Sequence, residues 1–163
     1  MLKHILVPLD GSKLAEKALE HALEVVAPEG KITLVCAVEV PDIPYYGYYP
    51  TLVNWNNETV KHELLPVARN YLEGLAFEIT EKGVTAKFEA TIGEPVTVIT
   101  EAAKRLEVDA IVMSSHGRSG VGRFLFGSVA IKILETKVCP VLIVPQKEHV
   151  TQEKPVVVTE HVN

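Results

Sequence analysis

Residues 113–128 read MSSHGRSGVGRFLFGS, and this stretch is the most informative part of the chain. It follows an apolar run, Val108–Val112, that is typical of a buried strand, and it leads into an apolar helical pattern that continues to Lys137. A glycine-rich loop between a strand and a helix lets the backbone approach an anion, and the N–H groups at the helix start point towards it. The pattern predicts a phosphate-binding loop.

Outward from this loop, short apolar runs alternate with amphipathic helical patterns. The expected strands are His4–Leu9, Ile32–Val40, Val84–Ile92, Val108–Met113 and Pro140–Pro145, and the expected helices begin after Ser12, near Glu58, at Pro95 and at Ser128. Because crossovers between parallel strands are right-handed, this alternation predicts a single α/β domain with a doubly wound, Rossmann-like parallel sheet over residues 1–145. The third strand alternates apolar and polar residues as an edge strand does, which favours the order 3-2-1-4-5.

Proline and glycine mark the expected helix ends. The first helix carries Leu14, Ala18, Ala22 and Val25 on one face, and Pro28-Glu-Gly30 is expected to stop it. The second helix is expected to run to Lys82, with Pro66 marking either a kink or a late start.

The predicted strand order reverses between the first and fourth strands. Ligands in such sheets bind at that switch point, beyond the carboxyl ends of the strands. The loops there are Pro8–Ser12 and Met113–Ser128, so topology and the glycine-rich pattern predict the same site.

Three segments resemble the universal stress protein family: Ile5–Ser12 (ILVPLDGS), Ser114–Gly117 and Gly127–Val129. The spacing is a small residue at 114, Gly117, nine further residues, then Gly127-Ser128. The turn Gly93-Glu-Pro95 is also similar to the family. The resemblance covers residues 1–145 and implies a flavodoxin-like domain that forms homodimers, binds ATP and acts in stress adaptation.

The resemblance also implies a set of binding residues. Pro8 and Leu9 would line the adenine, Asp10 would face the adenosine and Val38 would touch the base. The ribose and phosphates would be held by Met113, Ser114, Ser115, His116, Gly117, Arg118, Ser119, Gly127, Ser128 and Val129. Ser114 departs from the strict family pattern, which has glycine there. Its side chain is expected to crowd the ribose, to bend the loop, or to add a contact.

The charges expected around the loop also suit a nucleotide that carries several negative charges. Helix N-termini attract anions, and Arg118 and Arg123 add cations suited to phosphate. The expected ligand is ATP, AMP or ADP, with Mg²⁺ held by the phosphates rather than by a protein metal site. The Walker lysine motif is absent from the sequence, and no base is paired with a nucleophile, so an enzyme that hydrolyses ATP is not expected.

Two other functions stay open. An adenylating enzyme of the same architecture would carry a Ser-Gly-Gly-x-Asp-Ser loop after the first strand, where this chain has Pro8-Leu-Asp-Gly-Ser12. A nucleotide-free scaffold or dimerisation module would use the glycines for structure alone. Likewise, His116 is either a catalytic base or a residue that orders the loop, and Asp10 is either a ligand contact or a helix cap.

Composition narrows the classes of protein. The net charge of −5 argues against a nucleic-acid binder, and no apolar run approaches the ~20 residues of a membrane span. The chain enters its first strand without a separate signal segment, and Cys36 and Cys139 are interpreted as reduced core thiols. These features predict a cytoplasmic protein.

The expected partner is a second copy of the chain. The apolar fifth strand, Val141–Val144, lies at a sheet edge, and pairing it across a twofold axis would cover it. The loop 42–56 holds four tyrosines and Trp55, which suit a partner surface, a lid, or a loop folded over the sheet. Residues 146–163 form a C-terminal tail, in which Pro155–Thr159 is either an added edge strand or part of a disordered segment.

Overall fold

The computed structural model describes residues 1–39, 58, 60–115 and 127–145. The glycine-rich segment 116–126, the tyrosine-rich loop 42–56 and the tail 146–163 lie outside the described residues. Strands and helices alternate along the described chain. They are β1 (Leu2–Pro8), α1 (Lys13–Val25), β2 (Val26–Val38), α2 (Leu65–Glu81), β3 (Thr85–Ile92), α3 (Pro95–Arg105), β4 (Ala110–Ser114), α4 (Ser128–Thr136) and β5 (Val141–Val144).

The described strands form one parallel sheet in the order β3-β2-β1-β4-β5, which confirms the predicted α/β class and strand order. The central strand β1 pairs Ile5 with Ile32 of β2 on one side and with Ala110 of β4 on the other. Sheets of this kind are buried on both faces, and their central strands are apolar throughout.

Each face of the sheet has its own core. On one face, Ile5, Val7 and Leu34 pack with buried residues of α1 and α2. On the other, Leu6, Val35 and Ile111 pack with buried residues of α3 and α4. Because successive residues of β1 point to opposite faces, this strand supplies both cores and is buried along most of its length.

Polar contacts fix the beginning of β1. The Asp109 carboxylate accepts the N–H groups of Lys3 and His4 at 2.7 and 2.8 Å, and these bonds hold the pKa of Asp109 below its usual range. The buried His4 ring bonds to the Thr33 hydroxyl at 2.8 Å, and burial lowers the pKa of His4. These contacts join β1 to β2 and to the turn before β4.

The first helix has its C-cap at Val26, so Pro28 follows the cap by two residues, where a proline prevents the helix from continuing. The expected start of the second strand at Ile32 is wrong. The helix ends at Val25 and β2 begins at Val26, so Pro28 and Gly30 lie inside the strand rather than in a turn before it. Leu2 pairs with Val26, and the register then shifts before His4 pairs with Lys31. This irregularity leaves Pro28 exposed, where its missing N–H group costs no internal hydrogen bond.

Gly30 is required because the atoms around it leave no room for a side chain. A Cβ atom on Gly30 would lie 2.7 Å from Val26 Cγ2 and 3.0 Å from the Lys3 carbonyl oxygen. The sequence pattern alone could not distinguish this role from that of a helix stop.

The helix boundaries differ elsewhere in smaller ways. The fully buried residues of α1 are Ala15, Ala18, Leu19 and Ala22, whereas Leu14 and Val25, which were expected to face inward, are only half-buried. A π-helical turn, Val60–Leu64, precedes α2, and Pro66 lies in the first turn of α2. Residue 58 is also helical, so the helical segment begins near Glu58, as expected, and changes from π to α geometry at Leu65, next to Pro66. Gly83 ends the segment with a φ of 82°, as expected.

Within the part of the chain that the structure describes, none of the helices has both the length and the apolar character needed for a bilayer crossing.

A pair of glycine substitutions tests the close packing around Gly30, where β2 lies next to β1. We expect Gly30→Ala to lower the free energy of unfolding by about 1–3 kcal/mol, because the new methyl group overpacks the contact with Val26. Gly74→Ala is the matched control, since Gly74 lies exposed inside α2 with nothing within 4 Å of a new Cβ. It should raise that free energy by about 0.5–1 kcal/mol. Urea unfolding measures the change in the free energy of unfolding for both variants. An unchanged free energy of unfolding in Gly30→Ala would contradict the close packing around Gly30.

Candidate functional site

A cleft of about 650 Å³ opens at the carboxyl ends of β1, β2 and β4. It lies where the strand order reverses between β1 and β4, as the topology predicts. Its described walls come from these strand ends and from the first turns of the helices, so most of the lining residues sit on rigid elements.

All of the predicted site residues that the structure describes line this one cleft. They are Pro8, Leu9, Asp10, Val38, Met113, Ser114, Ser115, Gly127, Ser128 and Val129. The other predicted residues, His116, Gly117, Arg118 and Ser119, lie outside the described residues together with Arg123. The fold therefore brings together segments that are more than a hundred residues apart in sequence.

The loop after β1 is held by local hydrogen bonds. The Leu9 N–H donates to the Val35 carbonyl at 2.8 Å, which ties this loop to β2. The Asp10 carboxylate accepts the Ser12 N–H at 3.0 Å, and Gly11 between them has a φ of 82°, which favours glycine. The Ser12 hydroxyl accepts the Ala15 N–H at 3.1 Å and so caps α1. Ser12, not Asp10, is therefore the helix cap, and the half-buried Asp10 lines the cleft.

The opposite wall presents hydrogen-bond donors. Gly127 is the N-cap of α4, and no side chain among the described residues caps this helix. The first N–H groups of an α-helix have no intrahelical acceptor, so those of Ser128, Val129 and Ala130 are available where these residues line the cleft. Together with the positive end of the helix dipole they favour an anion.

Backbone bonds place this helix start. The Gly127 N–H donates to the Ser115 carbonyl, and the Ser115 N–H donates to the Val144 carbonyl at 2.9 Å. Because the Gly127 N–H already donates to a carbonyl of the protein, the first N–H group that could bind an anion is that of Ser128. Ser114 pairs with Val144 and continues β4, so serine at this position does not bend the strand.

The turn before α3 completes the base of the cleft. The Gly93 N–H donates to the Val38 carbonyl at 3.1 Å, which joins this turn to the end of β2. Glu94 caps α3 by accepting the Thr97 N–H at 2.8 Å, and this bond lowers the pKa of Glu94. Pro95 occupies the first helical position, as predicted, and lines the cleft.

The sequence did not reveal the wall that α2 and the π-helical turn before it supply. Leu64, Val67, Ala68 and Tyr71 line the cleft, and Val67 is 65% exposed although it is apolar. Their spacing of three and four residues is the signal of one helix face. The same spacing describes a core face, so it could not reveal that these residues border an open cleft.

Tyr71 is the polar member of this wall. Its hydroxyl donates to Glu16 Oε1 at 3.1 Å, and Lys13 Nζ bonds to Glu16 Oε2 at 2.7 Å. Burial raises the pKa of Tyr71 well above its usual range, and the Glu16 charge raises it further. The hydroxyl is therefore protonated at neutral pH.

Neither cysteine forms a disulfide. Cys36 is buried in β2, as expected of a core thiol, whereas Cys139 is only half-buried and packs against the core. Among the described residues, no group of three or more His, Cys, Asp or Glu side chains could hold a metal ion.

Comparison with known proteins identifies the family. The sequence model of the universal stress protein family matches residues 1–145. This chain belongs to the universal stress protein family. The resemblance carried by the loop after β1 and by the glycine motif is confirmed.

Named relatives agree with this assignment. Universal stress protein MJ0531 of Methanocaldococcus jannaschii is 33% identical over 150 residues, which span 91% of this chain and 86% of the relative. Universal stress protein MJ0577 of the same organism is 30% identical over 159 residues, which span 90% of this chain and 97% of the relative.

Solved structures share the fold. The structure of MJ0577 superposes with a TM-score of 0.74 at 28% identity, covering 90% of this chain and 97% of its own. A universal stress protein in complex with cAMP matches with a TM-score of 0.63 at 21% identity, covering 88% of this chain and 97% of its own. A family protein from Arabidopsis thaliana with AMP bound also gives 0.63, at 19% identity, covering 94% of this chain and 97% of its own.

Proposed function

We propose that this protein binds an adenine nucleotide in the cleft and acts as a regulatory stress protein through contacts with a second copy or another protein. The observation that carries the proposal is the division of the cleft into two chemically different ends. One end, at α2 and the end of β2, is lined mainly by apolar side chains and also includes Tyr71, whose oxygen can accept a hydrogen bond. The other end, at the start of α4, carries backbone donors.

A nucleotide matches both ends. Its base is a flat ring with hydrogen-bonding groups at the edge, which suits the wall of Val38, Val67 and Tyr71. Its phosphates are anionic, which suits the N–H groups of Ser128 and Val129. The volume of about 650 Å³ lies within the roughly 300–1,000 Å³ that is typical of small-molecule sites.

The family and its structures support the choice of adenine. Relatives of the same fold have been solved with AMP and with cAMP. We extend this to ATP, or to its products ADP and AMP, with Mg²⁺ held by the phosphate oxygens.

A charge placed at the start of α4 tests phosphate binding. We expect Ser128→Asp to weaken ATP binding roughly tenfold or more, about 1.4 kcal/mol, because the new carboxylate repels the phosphates. The fold should not suffer, since an acidic residue in the first turn stabilises a helix by about 0.3–1 kcal/mol. Titration calorimetry with ATP and with adenosine measures the effect; adenosine, which has no phosphate, should bind equally to both proteins.

The matched control is Asn70→Asp, which makes the same change of net charge on the exposed side of α2. It should leave both affinities unchanged. Absence of ATP binding by the unchanged protein at high micromolar concentration would favour the nucleotide-free scaffold instead.

The proposed role is binding without hydrolysis. The Walker lysine motif, whose lysine contacts the β- and γ-phosphates in P-loop NTPases, is absent from the sequence. The carboxylates among the described residues that line the cleft are Asp10 and Glu39. We expect sub-stoichiometric phosphate release from pure protein incubated with ATP and Mg²⁺, and an unchanged trace rate in Asp10→Asn. Sustained multiple turnover that Asp10→Asn abolishes would contradict the proposal.

The proposed dimer forms along the edge of β5. Leu142 of β5 and Ile131 and Leu134 of α4 are each 42% exposed, so large apolar side chains remain uncovered near this edge. Pairing two β5 strands across a twofold axis would satisfy the edge backbone and cover Leu142.

Light scattering tests this pairing. We expect twice the chain mass of 17.9 kDa for the unchanged protein at micromolar concentration, and a shift to the monomer mass in Leu142→Lys. The control is Phe77→Lys, because Phe77 is 66% exposed on α2 at the other side of the sheet. It should leave the mass unchanged; a monomer in every sample would end the proposal.

A further inference from the structure

We propose that Tyr71 is the residue that selects the base, by accepting a hydrogen bond from an exocyclic amine, so that the cleft prefers 6-aminopurine over 6-oxopurine nucleotides. This inference rests on the proposed function and names a determinant of specificity within the same cleft. It is carried by the hydrogen bond between Tyr71 and Glu16, which joins α2 to α1.

The hydroxyl proton of Tyr71 is already used. It is donated to Glu16 Oε1 at 3.1 Å. A phenol has one proton, so once this proton is donated the oxygen can only accept further hydrogen bonds. Tyr71 is one of the residues that line the cleft, and a ligand that reaches its hydroxyl oxygen would meet lone pairs alone.

Glu16 is held in place as the acceptor. Its second oxygen bonds to Lys13 Nζ at 2.7 Å, and its side chain is only 17% exposed. Both carboxylate oxygens therefore have partners, which fixes the orientation that receives the Tyr71 proton. The raised pKa of Tyr71 keeps that proton present at neutral pH.

The neighbouring groups strengthen the same preference. Asp10 lines the cleft, and its charge acts on the Tyr71 hydroxyl. A carboxylate also accepts hydrogen bonds and does not donate them. A base that presents an N–H₂ group to this end finds acceptors, whereas a base that presents a carbonyl oxygen there meets other acceptors and loses its hydrogen bond to water.

The other residues of the wall formed by α2 and the turn before it do not discriminate between purines. Leu64, Val67 and Ala68 are apolar and offer surface to any aromatic ring. Val67, which is 65% exposed in the open cleft, gains burial from every purine alike. Discrimination at the 6-position therefore falls on the polar groups, and Tyr71 is the one that α2 contributes.

The test compares ATP with ITP, which have the same ribose and phosphates and differ at the 6-position of the base. We expect the unchanged protein to bind ATP roughly tenfold or more tightly than ITP in titration calorimetry. In Tyr71→Phe the ratio should fall because ATP binds more weakly while ITP does not. In Glu16→Ala the ratio should fall because ITP binds more tightly, since the freed Tyr71 proton can now be donated to the carbonyl oxygen.

The two variants thus change different affinities, which a merely structural effect would not do. If Tyr71 only joined α1 to α2, both variants would weaken ATP and ITP together. The control is Glu20→Ala, because Glu20 is exposed one turn further along α1, and it should change neither affinity. Should Tyr71→Phe fail to fold, Glu16→Ala alone decides, because tighter ITP binding requires an intact site.

The outcomes separate the two proposals. Equal affinity of the unchanged protein for ATP and ITP would overturn the role of Tyr71 while leaving nucleotide binding intact. Binding of neither nucleotide would overturn both. A preference for ATP that persists unchanged in both variants would assign the selection to other residues and overturn this inference.

Discussion

The hydrogen bond from the Gly127 N–H to the Ser115 carbonyl fixes the start of α4 against the end of β4, and the geometry of the cleft depends on it. Ser115 is in turn held by Val144 of β5, so the helix start is connected to two neighbouring strands. With the axis of α4 fixed in this way, the first N–H groups of the helix lie at the topological switch point. A phosphate bound there, as we propose, would meet donors that need not rearrange, which would lower the entropic cost of binding.

The sheet supplies the second constraint, because β1 must be apolar on both sides. Ile5, Leu6 and Val7 are completely buried and alternate between the two cores. This strand delivers Leu9 and Asp10 to the cleft at a position set by the packing of the whole domain. The Leu9 bond to Val35 then continues the connection to β2 beyond the end of the β1 strand. The described parts of both ends of the cleft are thus connected to the core.

The sequence predicted the strand order because apolar and polar residues alternate along β3 as in an edge strand. In the structure Ala90 is the one buried residue of β3 and Lys87 is exposed, as expected of a strand at an edge. It also predicted the strand ends that meet at the cleft, because topology brings the carboxyl ends of β1 and β4 together. It failed at the start of β2, which was expected at Ile32 and lies at Val26, because Val26 pairs with Leu2 ahead of the regular register. It also missed Tyr71, because the partner Glu16 lies 55 positions away and only the packed fold brings the two together. The local sequence pattern predicted the helices and strands. The contacts between residues distant in sequence could be identified only from the structure.

The irregular start of β2 has a consequence for where the length of this chain can vary. Residues 27–30 lie between the pairing of Leu2 with Val26 and the regular register that begins at Lys31, and Pro28 and Glu29 there are exposed. An inserted residue in this stretch would lengthen the irregularity and leave the regular pairing as it is. One residue inserted after Lys31 would instead turn buried Ile32 towards the opposite core, so insertions are tolerated only before that point.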